Sequence, residues 1–180
     1  MSRIVFAIVA LLLATISIAA DLKPVKIETD NVVVRVRPHT PSQMKAFYEA
    51  RGFPQKALVE LEHACFMTVS VSNQREQILW LEPERWSMTD SRGREIPLKN
   101  RDAWDQVWQK YLVSAAARTA FRWTQMPPSR DLHPHEPVGG NISFNPGAGP
   151  YTLLARFALG TDKNEGQLEI HIPGLTCPGH

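Results

Sequence analysis

Asp131, His133, His135 and Glu136 fall within six positions and carry side chains able to hold a transition metal. Imidazole nitrogens and carboxylate oxygens ligate zinc or copper at neutral pH. Pro134 stiffens the chain between the two histidines, so both imidazoles reach one point only if the backbone cooperates. A structural site needs four ligands and a catalytic one three. His133, His135 and Glu136 would therefore need help from His171 or His180. That makes a metal-binding reading, for zinc or copper, an alternative to the plainer one. In the plainer reading Asp131–Pro137 is a wet, hydrogen-bonded loop, and it is preferred because the loop alone supplies too few ligands.

Cys177-Pro178-Gly179-His180 has a Cys-x-x-His spacing that can chelate a soft metal. Cys177 cannot do so if it is oxidised, and Cys65 is the one other cysteine. Two thiols in an exported chain usually pair, so a Cys65–Cys177 disulfide is expected. His63-Ala64-Cys65 places an imidazole two residues from a thiol, but alternation along a strand does not bring them into contact. There is no Gly-x-Ser-x-Gly elbow. Gly139-Gly140 and Gly147-Ala148-Gly149 lack the trailing Lys and the strand-to-helix setting of a phosphate loop. Glu82 and Glu84 flank Pro83 and read as a wet turn. No catalytic or cofactor-binding residue is assigned. Of the five tryptophans, Trp104 and Trp108 follow a helical stripe and Trp80 sits among Ile78, Leu79 and Leu81, so all three are expected in the core. Trp86 and Trp123 are undetermined. Asn141-Ile142-Ser143 fits a glycosylation sequon, which matters only in a eukaryotic source.

The beginning of the chain gives an address. Arg3 precedes an apolar run from Ile4 to Ile18, and Ser17-Ile18-Ala19 supplies small residues for cleavage before or after Ala20. This is the pattern of a secretory signal peptide over residues 1–20. The run is shorter than the ~20 residues a spanning helix needs, so no stable membrane insertion is expected after cleavage, and the location is periplasmic or secreted. A formal charge of +2 without a basic cluster gives no case for nucleic acid. The remainder, 21–180, is long enough for a single domain burying roughly 70% of its unfolded surface.

Local patterns predict the elements that hold these residues. Val32, Val33, Val34 and Val36 mark a strand over 31–37, ended by Pro38. Thr40, Pro41 and Gln43 form a capping box that opens a helix near 41–51, stopped at Gly52. A second helix follows near 54–64. In 65–72, apolar Cys65, Met67, Val69 and Val71 alternate with Thr68, Ser70 and Ser72, giving one buried face and one wet face. Residues 77–81 read as its hairpin partner, with another strand at 86–89. Asn100 caps a helix near 101–116 bearing Trp104, Val107, Trp108, Tyr111 and Leu112. Residues 120–125 read as strand, 126–137 as loop, and 141–144, 151–159 and 167–172 as strands. The 14 prolines and 10 glycines punctuate these runs. The fold class is mainly β with helical insertions, an antiparallel α+β domain.

The stretches Met67–Asn73, Ile78–Leu81, Trp86–Arg94 and Pro134–Phe144 resemble bacterial extracytoplasmic immunoglobulin-like sandwich domains of lipoproteins and secreted proteins. In those a strand ends at an Asn, a second strand follows, and an Asp-x-x-Gly turn comes next. The resemblance spans about half of the mature chain. The helices before Cys65 and at 101–116 depart from it. It implies an immunoglobulin-like β-sandwich and a binding role, and it transfers no site residues. The expected function is a non-enzymatic periplasmic or secreted binding or scaffold protein with an envelope protein partner. The alternatives are the metal-binding protein above and an envelope hydrolase, which no motif supports.

Overall fold

The computed structural model describes residues 24–180; the expected leader lies outside them. The described residues form two antiparallel sheets and four α-helices in an α+β arrangement. The first sheet runs β1 (Val25–Thr29), β2 (Val32–His39), β3 (Cys65–Asn73), β8 (Pro137–Phe144). In the second, β9 (Tyr151–Leu159) is central. It pairs along one side with β10 (Gln167–Leu175) and along the other with two short strands in succession, β4 (Leu79–Leu81) and β5 (Ser87–Thr89). Outside these lie β7 (Arg130–Leu132) and β6 (Glu95–Ile96).

Alternation of side chains builds the core between the sheets. Val32, Val34, Val36, Met67, Val69 and Val71 face Leu79, Met88, Leu153, Phe157, Ile170 and Ile172 in one apolar cluster. Cys65 and Cys177 are bonded, with Cα atoms 5.6 Å apart. The bridge ties β3 of one sheet to the segment leaving β10 of the other.

A second apolar cluster belongs to the helices. α1 (Pro41–Glu49) and α2 (Gln55–Glu62) lie between β2 and β3; α3 (Arg101–Lys110) and α4 (Ala115–Thr124) lie between β6 and β7. Tyr48, Phe53, Leu58 and Leu61 pack with Trp104, Trp108 and Phe121 over Phe66 of β3. Trp104 and Trp108 stack with ring centres 4.8 Å apart, and the Trp104 indole N–H donates to Ser143 Oγ at 2.7 Å. The α1 capping box forms as its residues predict: Gln43 N–H donates to Thr40 Oγ1, and Thr40 N–H to Gln43 Oε1.

Several expectations are corrected. Residues 77–81 do not form a hairpin with β3, because both edges of β3 are filled by β2 and β8 and the chain crosses to the other sheet. Residues 120–125 are not a strand. Leu112 takes a left-handed conformation (φ 55°) that ends α3, Ser114 then caps α4, and Ala117 and Phe121 bury one turn apart. The helix expected to reach 116 is therefore two. Pro38 sits inside β2, paired opposite Met67, and β1 joins β2 through a tight turn at Asp30 and Asn31, both with positive φ. Trp80 is half-buried rather than core; its indole donates to Gly160 O, and the Lys163 ammonium lies 4.5 Å from its ring centre. The 126–137 loop contains β7.

Candidate functional site

The His-Pro-His-Glu segment is a compact turn held from beneath by Asn73. The Asn73 side chain is fully buried and donates to the carbonyls of Gln77, Leu132 and His133. The backbone of Asn73 bonds both ways with the turn: it donates to Glu136 O and accepts from His135 N–H. His135 has φ 66°, and the Glu136 carboxylate accepts from the His133 N–H at 3.0 Å. His133 Nε2 lies 3.5 Å from Asp131 Oδ2. His171 stands on the exposed face of β10, and His180 follows the bridged Cys177. Among the described residues no three His, Cys, Asp or Glu side chains converge on a point where a metal could sit. Cys177 is oxidised, so the Cys-x-x-His pair has lost its thiolate. The sequon residues are engaged in the fold: Asn141 Oδ1 accepts from Thr68 and Ser143 is fully buried.

A larger feature lies at the free edge of β8. Among the described residues no strand covers that edge. Instead two segments cross it, making isolated bridges between Leu98 and Phe144 and between Gln125 and Asn141. Lys99 N–H donates to Ser143 O at 2.7 Å, and Met126 N–H to Asn141 O at 2.9 Å. The approach of the second segment requires Gly140: a Cβ there would stand 2.7 Å from the Gln125 carbonyl carbon and closer still to the Met126 backbone. Arg101, the first residue of α3, ties the two segments together, its guanidinium donating to Gln125 O at 2.7 Å.

Between these segments and the second sheet opens a cleft of about 530 Å³. Trp86, Met126 and Ile142, all buried, give it an apolar floor, and Lys99, Arg101, Arg122, Gln125 and Asn141 add polar groups. Glu84, Glu95 and Asp102 also line it, all three exposed. Asp102 lies 3.5 Å from Arg122. Among the described residues, neither Lys99 nor Arg101 has a carboxylate within ion-pair distance. Burial pushes the Lys99 ammonium pKa down, against the pull of Glu60. Burial, then the neighbouring Arg122 guanidinium, does the same to Arg101. The Lys99 ammonium lies 4.6 Å from the centre of the Trp104 ring, whereas the Arg101 guanidinium has neither a carboxylate nor an aromatic face against it among the described residues.

Gln125 is 4% exposed, and its amide orientation follows from the hydrogen bonds around it. Thr124 Oγ1 donates to Phe121 O, so it receives from Tyr48 Oη and from Gln125 Nε2. Gln125 Nε2 also reaches Tyr48 Oη at 3.2 Å. The amide nitrogen is thereby satisfied, and among the described residues no donor reaches Oε1. Arg101 Nε is buried without a partner. A buried polar group left unpaired costs roughly 1–3 kcal/mol, and each one calls for an explanation.

None of these cleft residues was singled out as functional in the sequence. One signal was available: a glycine inside a strand marks a close backbone approach, and Gly140 is such a glycine. No family model and no curated protein matches the chain. Among solved structures, the crystal structure of the yjhA protein from Bacillus subtilis matches with 9% identity, covering 72% of this chain and 76% of that one, at a TM-score of 0.42.

Proposed function

We propose that the chain is exported to the periplasm or beyond and serves there as a non-enzymatic binding or scaffold protein of the cell envelope, taking its partner or ligand at the cleft beside β8. The observation that carries the binding role is that cleft: an apolar floor, the Arg101 guanidinium with its Nε unpartnered, and an amide acceptor without a donor, framed by the two crossing segments. Pockets that combine apolar walls with a few placed polar groups are the usual form of a binding site. Export is supported by the buried cross-sheet bridge, since such bonds persist in oxidising compartments.

An immunoglobulin-like architecture is part of the proposal, and strand order supports it. In that fold the first, second and fifth strands are neighbours in one sheet and the third, sixth and seventh in the other. β2, β3 and β8 would take the former places, and β4, β9 and β10 the latter. The helices then are two insertions, one after the first strand and one before the fifth. Fold alone does not assign an activity, so the role rests on the cleft.

The test is made in cells with the full chain. Fractionation should place it outside the cytoplasm, shortened by its leader, with no thiol available to labelling. Arg101→Glu should release it from the envelope assembly that retains it, without altering its export. Cytoplasmic protein with two reactive thiols, or retention indifferent to the charge reversal, would refute the proposal.

A further inference from the structure

The chemistry of the cleft narrows what it accepts. The Arg101 guanidinium, its Nε buried without a partner, asks for an anion, Gln125 Oε1 asks for an N–H or O–H donor, and the floor of Trp86, Met126 and Ile142 asks for an apolar group. An anion at the start of α3 is also favoured by the helix dipole. The exposed carboxylates of Glu84 and Glu95 repel a ligand with several negative charges, such as a polyphosphate, and tolerate one whose single charge lies inside. We infer that the cleft binds an N-acylated α-amino acid with an apolar side chain, the chemistry found at the C-terminal residue of a peptide. The carboxylate lies against Arg101, the amide N–H donates to Gln125 Oε1, and the side chain rests on the apolar floor. Arg101 already spends one nitrogen on Gln125 O, and its other terminal nitrogen has no partner among the described residues. The volume, about 530 Å³, holds one such residue and the acyl group before it.

This inference rests on the cleft being the place where binding occurs, and its test does not depend on export or on any cellular partner. The full chain, folded and oxidised, is titrated with N-acetyl-phenylalanine by calorimetry and by amide and indole NMR. Two probes each remove one feature: N-acetyl-phenylalaninamide lacks the carboxylate and 3-phenylpropionate lacks the N–H. Saturable binding of the first probe is expected, with the neutral amide at least tenfold weaker, the propionate about fivefold weaker, and shifts centred on Trp86 and Gln125. Arg101→Gln should weaken the acid at least tenfold and leave the neutral amide within twofold, which a general loss of structure would not do. A longer peptide ending in phenylalanine separates the sources: tenfold tighter binding marks a peptide tail, equal binding a free acylated amino acid. No saturation at 20 mM, equal affinity for acid and amide, or shifts away from the cleft would overturn the inference. Loss of envelope retention in Arg101→Glu with no probe binding would overturn it while leaving the proposed function standing.

Discussion

Removing the disulfide with Cys65→Ala/Cys177→Ala is the perturbation whose size follows most directly from the structure. The bridged residues are 112 apart in sequence. In the chain-entropy model a loop of that length restrains the unfolded ensemble by about 4.8 kcal/mol at 25 °C. Each 1 kcal/mol shifts the melting temperature of a domain this size by roughly 2–4 °C. The double variant should therefore melt about 10–20 °C lower. The cause lies in the unfolded state, so a second signature accompanies the first. An unbridged unfolded chain exposes more surface, and the slope of stability against urea should rise. Equilibrium urea unfolding of oxidised wild type and the double variant, followed by tryptophan fluorescence, reads both quantities. A loss under about 1.5 kcal/mol with an unchanged slope would refute the reasoning, since the loop would then restrain little.

Four further outcomes are expected. Gly140→Ala should cost about 3 kcal/mol or more, because its Cβ would meet backbone at Gln125 and Met126 and not a side chain that can swing away; chemical denaturation measures it, and a cost under 1 kcal/mol would mean the crossing segment yields freely. Ser143→Ala should lose roughly 1–3 kcal/mol by orphaning the buried Trp104 indole N–H, and Trp104→Phe in the same background should recover part of that specific loss in a double-mutant cycle. Burial works to raise the Asp90 pKa, but the Arg94 N–H and guanidinium and the Arg92 N–H outweigh it and hold the carboxyl below its ordinary value; its stabilisation is present above the unfolded pKa and disappears as pH falls through the folded one, so Asp90→Asn should flatten the stability profile below about pH 4. Micromolar zinc or copper should leave the melting temperature unmoved, whereas a native-selective metal at a hundred times its Kd would add about 2.7 kcal/mol; a rise abolished by His133→Ala/His135→Ala would favour the metal-binding alternative.

What was legible in the sequence was whatever a short window decides. The α1 capping box needs four residues, the Cys65–Val71 alternation needs seven, and the Asp90–Gly93 turn closes on Asp90 itself, through Arg92 and Arg94. All three form as read, and Trp104 and Trp108 are buried on the stripe that predicted them. Errors arose where a distant partner decides. β3 could not accept its neighbour in sequence because β8, some seventy residues on, fills that edge. Residues 120–125 read as a strand in isolation because Phe121 and Trp123 are strand-favouring; the apolar surface of Tyr48 and Phe53 makes a helix the better answer. The cleft was invisible for the same reason. Its cations come from the start of one helix and the end of another, and only Gly140 hinted at their meeting.

The two helical insertions share one core, and that core has a consequence for the order in which the molecule can assemble. α1 and α2 offer half of an apolar surface whose other half, α3 and α4, is made forty residues later. The cluster between the sheets waits longer still, for Tyr151, Ile172 and finally Cys177. Growing from its N-terminus, the chain thus completes the helical core only once Phe121 has been made, and the core between the sheets only once β10 is available. Contacts so distant in sequence make folding slow, and each partial chain displays sticky valine-rich strands meanwhile. In a chain of this design Cys177 can close on Cys65 only when β10 has docked, so the bond itself records that the two sheets have met.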